Sequence, residues 1–225
     1  MLENPASQAI LQQRREMIEN LQRRGIQDTE VLRAMETVRR EAFLPPDLQE
    51  AAYADCALPI GEEQTISQPL IVGLMTQAAD LSPEDRVLEI GTGSGYGAAV
   101  LAQLAKEVYT IERRETLARK AAQTLREQGV RNVRVGYGDG TLGWSKHAPF
   151  DAILVTAGGP KVPEALVAQL QVGGRLVMPV GEDRRSQRLV RLRKNEMNRM
   201  EREELGGARF VPLIGAQGWP SEVSS

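Results

Sequence analysis

The chain has 225 residues, 41% of them hydrophobic, with 28 Lys and Arg against 30 Asp and Glu for a formal charge of −2. That is apolar material for one sizeable core with an extension, and the charge balance excludes a broad basic surface for nucleic acid. One cysteine, Cys56, excludes an intramolecular disulfide framework and suits a reducing, cytoplasmic setting, while one histidine, His147, leaves no multi-histidine metal site, so no metal is expected.

The N-terminus carries Glu3 and polar residues without an apolar core segment, so it does not read as a secretory signal, and no run approaches membrane-spanning length. Asn4-Pro5 reads as an N-cap with proline at the first helical position, opening a helix over 6–24 that Gly25 stops. Asp28 caps a second helix with Val31, Leu32, Met35 and Val38 on one face. Phe43-Leu44-Pro45-Pro46 breaks it, and residues 48–53 form one more short helix. Residues 55–69 are a loop rich in Pro, Gly and polar groups. Ser67 ends that loop, ahead of the apolar run Leu70 to Met75. It suits an N-cap, and a hydroxyl beside a helix N-terminus is also a place to bind a carboxylate.

From Asp80 the pattern alternates. Strands are expected at 86–90, 108–111, 133–137, 152–156 and 175–179. Helices are expected at 94–104, 115–128 and 163–170, with Gly129 and Gly173-Gly174 as breaks. This series predicts an α/β fold: a doubly wound, mainly parallel sheet with helices on both faces. Residues 189–192 and 200–205, separated by Lys194-Asn195-Glu196, read as an antiparallel hairpin. The run of Arg184, Arg185, Arg188, Arg191, Arg193 and Lys194 reads as its solvated edge. His147, in Trp-Ser-Lys-His-Ala-Pro, reads as a solvated loop residue. By domain, residues 1–80 are a helical extension carrying a loop, 81–215 the α/β domain and 216–225 a polar tail.

Residues 86–96 read R-V-L-E-I-G-T-G-S-G-Y, a buried strand, a turn of Gly91, Thr92, Gly93, Ser94 and Gly95, then a helical pattern. Strand, glycine turn and helix open a nucleotide-binding unit, because glycine lets the chain turn sharply and a ligand approach the backbone. Glu89, just before the turn, would repel a pyrophosphate and favours the sulfonium and ammonium of S-adenosylmethionine. Glu112, ending the next strand, suits a ribose diol, which dinucleotides share. In such sheets ligands lie beyond the carboxyl ends of the strands. After the third strand, Asp139 and Gly140 suit an adenine edge or a plain turn. After the fourth, Thr156 and Ala157 open a run of small residues that leaves room for a substrate. Trp144 suits either a cover for the adenine or a wedge in the core.

Several segments together resemble the protein-L-isoaspartate O-methyltransferase family: R-R-E-A-F-L-P, A-Y-A-D-C-A-L-P-I-G, Q-T-I-S-Q-P, V-L-E-I-G-T-G-S-G-Y, Y-T-I-E-R, G-D-G-T-L-G-W, V-T-A-G-G-P-K-V-P, G-G-R-L-V-M-P-V-G and R-F-V-P-L. The likeness runs from about Val38 to Leu213, and A-L-P-I-G-E-E-Q-T-I-S-Q-P is its specific part. It implies a methyltransferase fold and transfer of a methyl group from S-adenosylmethionine to the misplaced α-carboxylate of isoaspartyl residues in damaged proteins. The ester then closes to a succinimide that reopens partly to normal aspartate. It implies Ser67 as the active-site residue, Ile66 beside it on the substrate side, and Gly91, Glu112, Asp139 and Gly140 among the cofactor positions. A carboxylate is ionised at neutral pH and needs no general base, so Ser67 is expected to orient it by hydrogen bonding, not to attack. Gly97 and Gly159 depart from the family pattern, where larger residues are common. The expected partners are isoaspartyl proteins and peptides, with neither nucleic acid nor membrane, and the expected state is a monomer.

Other readings are a methyltransferase for a different carboxylate or a small molecule, a nicotinamide-dependent dehydrogenase, and a cofactor-binding module without catalysis. Glu89 opposes the dehydrogenase. Ser67 together with the acids opposes the inert module. Methylation of an isoaspartyl peptide, and not of its aspartyl twin, separates the first from a repair enzyme.

Overall fold

The computed structural model describes residues 5–184 and 186–221; Asn4, Arg185 and the last four residues, on which parts of the reading fall, lie outside the described residues. Helix α1 spans Pro5–Arg23 and α2 Thr29–Thr37. The Asp28 carboxylate caps α2 by accepting from the N–H groups of Glu30 at 2.9 Å and Val31 at 3.2 Å. The short helix expected at 48–53 is a 3₁₀ helix over Pro46–Ala51, started by the fixed φ of proline and ending two residues earlier; another, Arg40–Phe43, precedes it.

The segment 55–69 is not all loop. It holds a two-stranded hairpin, β1 (Leu58–Gly61) against β2 (Gln64–Ile66), with Leu58, Ile60 and Ile66 buried. Its turn puts Gly61, Glu62 and Glu63 at φ +93°, +52° and +57°. Two glutamates in the left-handed region lack the Asn-Gly signature that would have announced a hairpin. Packing of the three buried side chains is what holds them there. Helix α3 (Pro69–Ala79) follows.

The main sheet contains β3 (Arg86–Ile90), β4 (Glu107–Glu112), β5 (Val133–Tyr137), β6 (Phe150–Val155), β7 (Leu170–Asp183), β8 (Ser186–Lys194) and β9 (Met200–Ala208). Its order is β5-β4-β3-β6-β7-β8-β9, parallel through β7 and antiparallel for the last two pairs. Helices α4 (Tyr96–Leu101), α5 (Glu115–Glu127) and α6 (Glu164–Ala168) complete the fold. Helix α4 starts later than expected because Gly95, at φ +92°, still belongs to the glycine turn. Helix α6 is shorter because Leu170 already pairs with Phe150 in the sheet. In the basic stretch, Arg188 pairs with Glu204 at 3.1 Å and Arg191 with Glu203 at 2.5 Å, across β8 and β9.

Alternate residues of β3 feed two cores. Val87 joins a cluster that runs through Met17, Leu21, Met35, Ala79, Val100 and Leu154, so the N-terminal helices and one face of the sheet share their interior. Leu88 and Ile90 join the other, with Tyr109, Phe150, Leu166 and Leu176. Trp144 packs on this second cluster, edge-on to Tyr109 at 5.8 Å, over Gly136. It is a wedge in the core, not a cover for an adenine. His147 stacks on Tyr109 at 4.4 Å and is half-buried, a departure from the solvated loop position expected for it.

Arg175 of β7 fastens α3 to the sheet. Its Nε donates to the Ala79 carbonyl at 2.7 Å, and its Nη2 donates to Asp80 O and pairs with Asp85 at 2.8 Å, both partners of that pair being largely buried. Arg175→Met leaves Asp85 and the end of α3 without their donor, and is expected to lower unfolding free energy by about 3 kcal/mol in denaturant titration. A change below ~0.5 kcal/mol, the scale of an exposed pair, would show the fastening to be idle.

Candidate active site

The sheet order reverses at β3, whose neighbours β4 and β6 are followed by connections leading to opposite edges. That switch point opens a crevice beyond the strand ends. A cavity of about 610 Å³ lies there, within the usual size for a small-molecule site.

Its floor is the glycine turn. Gly91 has φ +98°, and a Cβ on it would overlap the Thr156 hydroxyl, so both conformation and space demand glycine. That hydroxyl donates to the carbonyls of Gly91 at 2.8 Å and Ile90 at 3.0 Å, fastening the turn to the end of β6. Glu112 ends β4, and its Oε2 accepts from the Gly93 N–H and its Oε1 from the Arg114 N–H, each at 2.9 Å. Its carboxylate is buried yet borders the cavity, with lone pairs left for ligand hydroxyls.

Glu89 lies deeper, 2% exposed. Its Oε2 accepts from Thr110 Oγ1 at 2.6 Å, and the Thr92 and Thr110 hydroxyls are 2.7 Å apart, so Thr92 donates onward to Thr110. Burial pushes the Glu89 carboxyl up to about 8, with the charge of Glu112 adding to the rise and the Thr110 bond opposing it. The acid that favours a cation is therefore largely protonated at neutral pH while no cation adjoins it. Gly97 belongs to the same arrangement: a Cβ there would overlap Glu89 Oε1, so the departure at 97 makes room for this carboxyl.

The opposite wall comes from Thr65, Ile66 and Ser67 of the hairpin and the start of α3. Ser67 is not the N-cap of α3. Gln68 occupies that position without a side-chain bond, and among the described residues no hydrogen bond of the Ser67 hydroxyl is present. Behind Ser67 lies Arg40, fully buried, whose Nη2 donates to the Ser67 carbonyl at 2.8 Å and whose Nε donates to the Ala52 carbonyl at 2.7 Å. The buried Tyr96 ring lines the cavity 4.8 Å from the Arg40 guanidinium.

Of the candidate residues, Ile66, Ser67, Glu89, Gly91, Thr92, Gly93, Ser94, Glu112, Gly140, Thr156 and Ala157 all border this one cavity. Gly95 and Asp139 do not. Gly95 packs against Ala121 and Leu125 of α5. The Asp139 carboxylate accepts from the Thr141 N–H and hydroxyl, at 2.9 and 2.6 Å, and from the Ala216 N–H at 2.7 Å. Burial raises its pKa, but those bonds outweigh burial and hold it below the ordinary carboxylate range. Asp139 thus anchors the C-terminal segment, and the cavity receives the adjoining Gly140. Gly159 does not border the cavity itself but packs against Met178 and against Leu213, which does.

Sequence reasoning missed several contributors, Thr65, Arg113 and Arg114 among them. Val211 to Ile214 form part of the wall because the segment folds back: Leu213 N–H donates to the Gly158 carbonyl at 2.8 Å and Trp219 Nε1 to the same oxygen at 3.0 Å. Tyr96 looked like the start of a helix, and Arg40 like one more charge on a polar helix end. No local signal marks any of them, although R-F-V-P-L and R-R-E-A-F-L-P are among the family-like segments.

The residues fit a cationic adenosyl donor: bare backbone at the turn, a ribose-suited carboxylate held by two N–H groups, and a buried carboxyl whose ionisation an adjoining cation would favour. Among the described residues no group of three or more His, Cys, Asp and Glu is placed to hold a metal ion.

Comparison with known proteins agrees with this chemistry. The family model described as protein-L-isoaspartate(D-aspartate) O-methyltransferase matches residues 12–218. The chain is 57% identical over 208 residues to protein-L-isoaspartate O-methyltransferase 2 of Pelobacter propionicus, covering 92% of each. It is 52% identical over 220 residues to protein-L-isoaspartate O-methyltransferase 1 of Rhodopseudomonas palustris, covering 98% of this chain and 90% of the relative. Among solved structures, a protein-L-isoaspartate O-methyltransferase superposes with TM-score 0.82 at 30% identity, over 91% of this chain and 67% of that one. A Plasmodium falciparum structure titled as such an enzyme, in complex with S-adenosyl-L-homocysteine, superposes with TM-score 0.77 at 26% identity, over 88% and 97%.

The raised Glu89 pKa has a consequence for stability. The unfolded chain releases this proton near the ordinary glutamate value of about 4.5 and the folded protein without ligand near 8. Between those values the folded state holds the extra proton, so stability is full below the lower value, falls as pH rises and levels off above the higher. Across that window Glu89→Gln is expected to remove a loss on the order of a few kcal/mol. Denaturant titration of ligand-free protein at pH 5.5 and 7.5 measures it, and identical pH slopes for the two proteins would refute the buried neutral acid.

Proposed function

Since the chain belongs to the protein-L-isoaspartate(D-aspartate) O-methyltransferase family, we propose that Ser67 orients the acceptor carboxylate at one wall of the cavity while the glycine turn, Glu89 and Glu112 bind the donor at the other. The protein transfers a methyl group from S-adenosylmethionine to isoaspartyl residues of damaged proteins, the step that starts their repair. When bound, S-adenosylmethionine supplies an electrophilic methyl group on a positively charged sulfur.

The observation that carries the assignment of Ser67 is its hydroxyl, unused as a helix cap, bordering the same cavity as Glu112 and Gly93. The acceptor oxygen is already an anion, so the residues have no proton to remove from it. Their task is to hold two groups in line, and a hydroxyl that donates to the carboxylate fixes one of them. Thr156 keeps Gly91 in its turn and, with Ala157, leaves space for the acceptor backbone. Glu112 accepts from the ribose hydroxyls. Asp139 acts on the adenine side by fixing Gly140.

Residues 1–80 serve the acceptor and 81–215 the donor, with room for the acceptor at Thr156 and Ala157; residues 216–221, expected as part of a polar tail, are instead docked, with Ala216 N–H donating to Asp139, Gln217 N–H to the Thr141 hydroxyl and Trp219 Nε1 to the Gly158 carbonyl. The reading extends to a cytoplasmic monomer. A single exposed cysteine supports the compartment. Exposed large apolar side chains scattered over separate elements, such as Leu11, Leu142 and Val172, support the monomer. Among the described residues no helix is long and apolar enough to cross a membrane.

A labelled methyl donor offered with an isoaspartyl peptide and its aspartyl twin tests the acceptor: label is expected in the first alone. Ser67→Ala is expected to lower kcat/KM by about 10- to 100-fold, the size of a lost hydrogen bond to a charged group, with calorimetric affinity for S-adenosylhomocysteine unchanged. Glu112→Gln is expected to do the reverse, weakening that affinity about 10-fold or more. If Ser67→Ala impaired cofactor binding as much as turnover, the division of the cavity would be wrong.

A further inference from the structure

Among the described residues Arg40 is the largest side chain buried completely, and the position is costly for a group that stays charged at any ordinary pH. Among the described residues no carboxylate bonds or ion-pairs with it. Glu41, its neighbour in sequence, is already engaged by Tyr53, Arg39 at 3.1 Å and Arg14 at 3.4 Å. The guanidinium instead donates to two backbone carbonyls, Ala52 O and Ser67 O. Its Nη1 and the Tyr96 hydroxyl make no well-aligned hydrogen bond to any other group among the described residues; they interact with each other, and the cation lies over the Tyr96 ring. Carbonyl dipoles and a ring face offset part of a buried charge, whereas a carboxylate would neutralise it.

Both groups through which Arg40 touches the site, Ser67 and Tyr96, border the cavity. The donor side of that cavity carries the acids Glu89 and Glu112 with Arg113 and Arg114 at its edge, and the hairpin side carries Glu63 at its edge, while the Ser67 backbone itself has this buried cation directly behind it. We propose that Arg40 is the positioning residue of the acceptor side: it fixes the backbone of Ser67 and holds an unneutralised positive charge behind it, so that the isoaspartyl carboxylate is the counter-anion the folded protein lacks. The inference rests on the assignment of Ser67 to the acceptor and adds the source of its electrostatic selectivity.

The test separates charge from hydrogen bonding. Arg40→Lys keeps the charge and loses the double clamp. Arg40→Gln keeps a donor to one carbonyl and loses the charge. Steady-state kinetics with an isoaspartyl peptide at saturating S-adenosylmethionine should give a KM for the Lys variant within about three-fold of the parent. For the Gln variant KM should rise about ten-fold or more, with kcat changed less and S-adenosylhomocysteine affinity unchanged in both. Equal KM values for the folded Lys and Gln variants would overturn the electrostatic role, as would a parallel loss of cofactor affinity.

Ser67→Ala serves as the reference. If it leaves KM and kcat untouched, the assignment of Ser67 fails. If it impairs them while Arg40→Gln does not, the inference about Arg40 alone fails. Should the Gln variant not fold, the ¹⁵N resonance of the Arg40 Nε in the parent protein, saturated with S-adenosylhomocysteine, decides: a shift on adding the isoaspartyl peptide and not its aspartyl twin supports the proposal, and no shift refutes it.

Discussion

The carboxyl ends of β3 and β4 are tied side by side through buried polar groups, and the site depends on that tie. Thr92 in the glycine turn bonds Thr110 on β4, Thr110 bonds Glu89 on β3, and the Gly93 N–H bonds Glu112 at the end of β4. Each bond crosses from one element to the other, so neither strand end can move without exposing an unpaired polar group in a dry interior. The result is a glycine turn locked in shape before any ligand arrives. A pre-shaped turn spends less of the binding energy on ordering itself.

The two walls of the cavity solve different problems. The wall proposed for the donor, which carries a cation and a sugar, presents carboxyl groups of contrasting environment. Glu112 borders the cavity and is supported by two N–H donors. Glu89 is enclosed, and its ionisation is favourable only beside a positive charge. The wall proposed for the anionic acceptor presents the Ser67 hydroxyl, with helix α3 beginning just behind it and the Arg40 guanidinium buried beyond. The lining is of mixed charge, with Arg113 and Arg114 beside Glu112 and Glu63 on the hairpin side, so the division of labour proposed for the two walls rests on Glu89, Glu112, Ser67 and Arg40 in particular. The one histidine, His147, is not among the residues that line the cavity and stacks on Tyr109.

The C-terminal segment links the walls. It docks on Gly158, is anchored by Asp139 and Thr141, and supplies Val211 to Ile214 to the cavity. Asp139 thus lies outside the cavity lining and holds a segment that arrives from far along the chain.

The amino-acid sequence alone determined the α/β series, the span of β3 and β5, the cap at Asp28, the glycine turn and the acids that flank it. These depend on near neighbours: period in hydrophobicity, caps one to three residues away, and turns that only glycine allows. What tertiary structure decided is of another kind. The hairpin at 58–66 exists because Leu58, Ile60 and Ile66 find a core, against weak turn chemistry. Ser67 is free because Gln68, one residue on, became the cap. Trp144 went under the sheet, Asp139 to the C-terminal segment, and Arg40 behind Ser67 with nothing in R-R-E-A-F to announce it. Each of these outcomes turns on which distant group occupies the space beside a side chain, and local pattern carries no record of that.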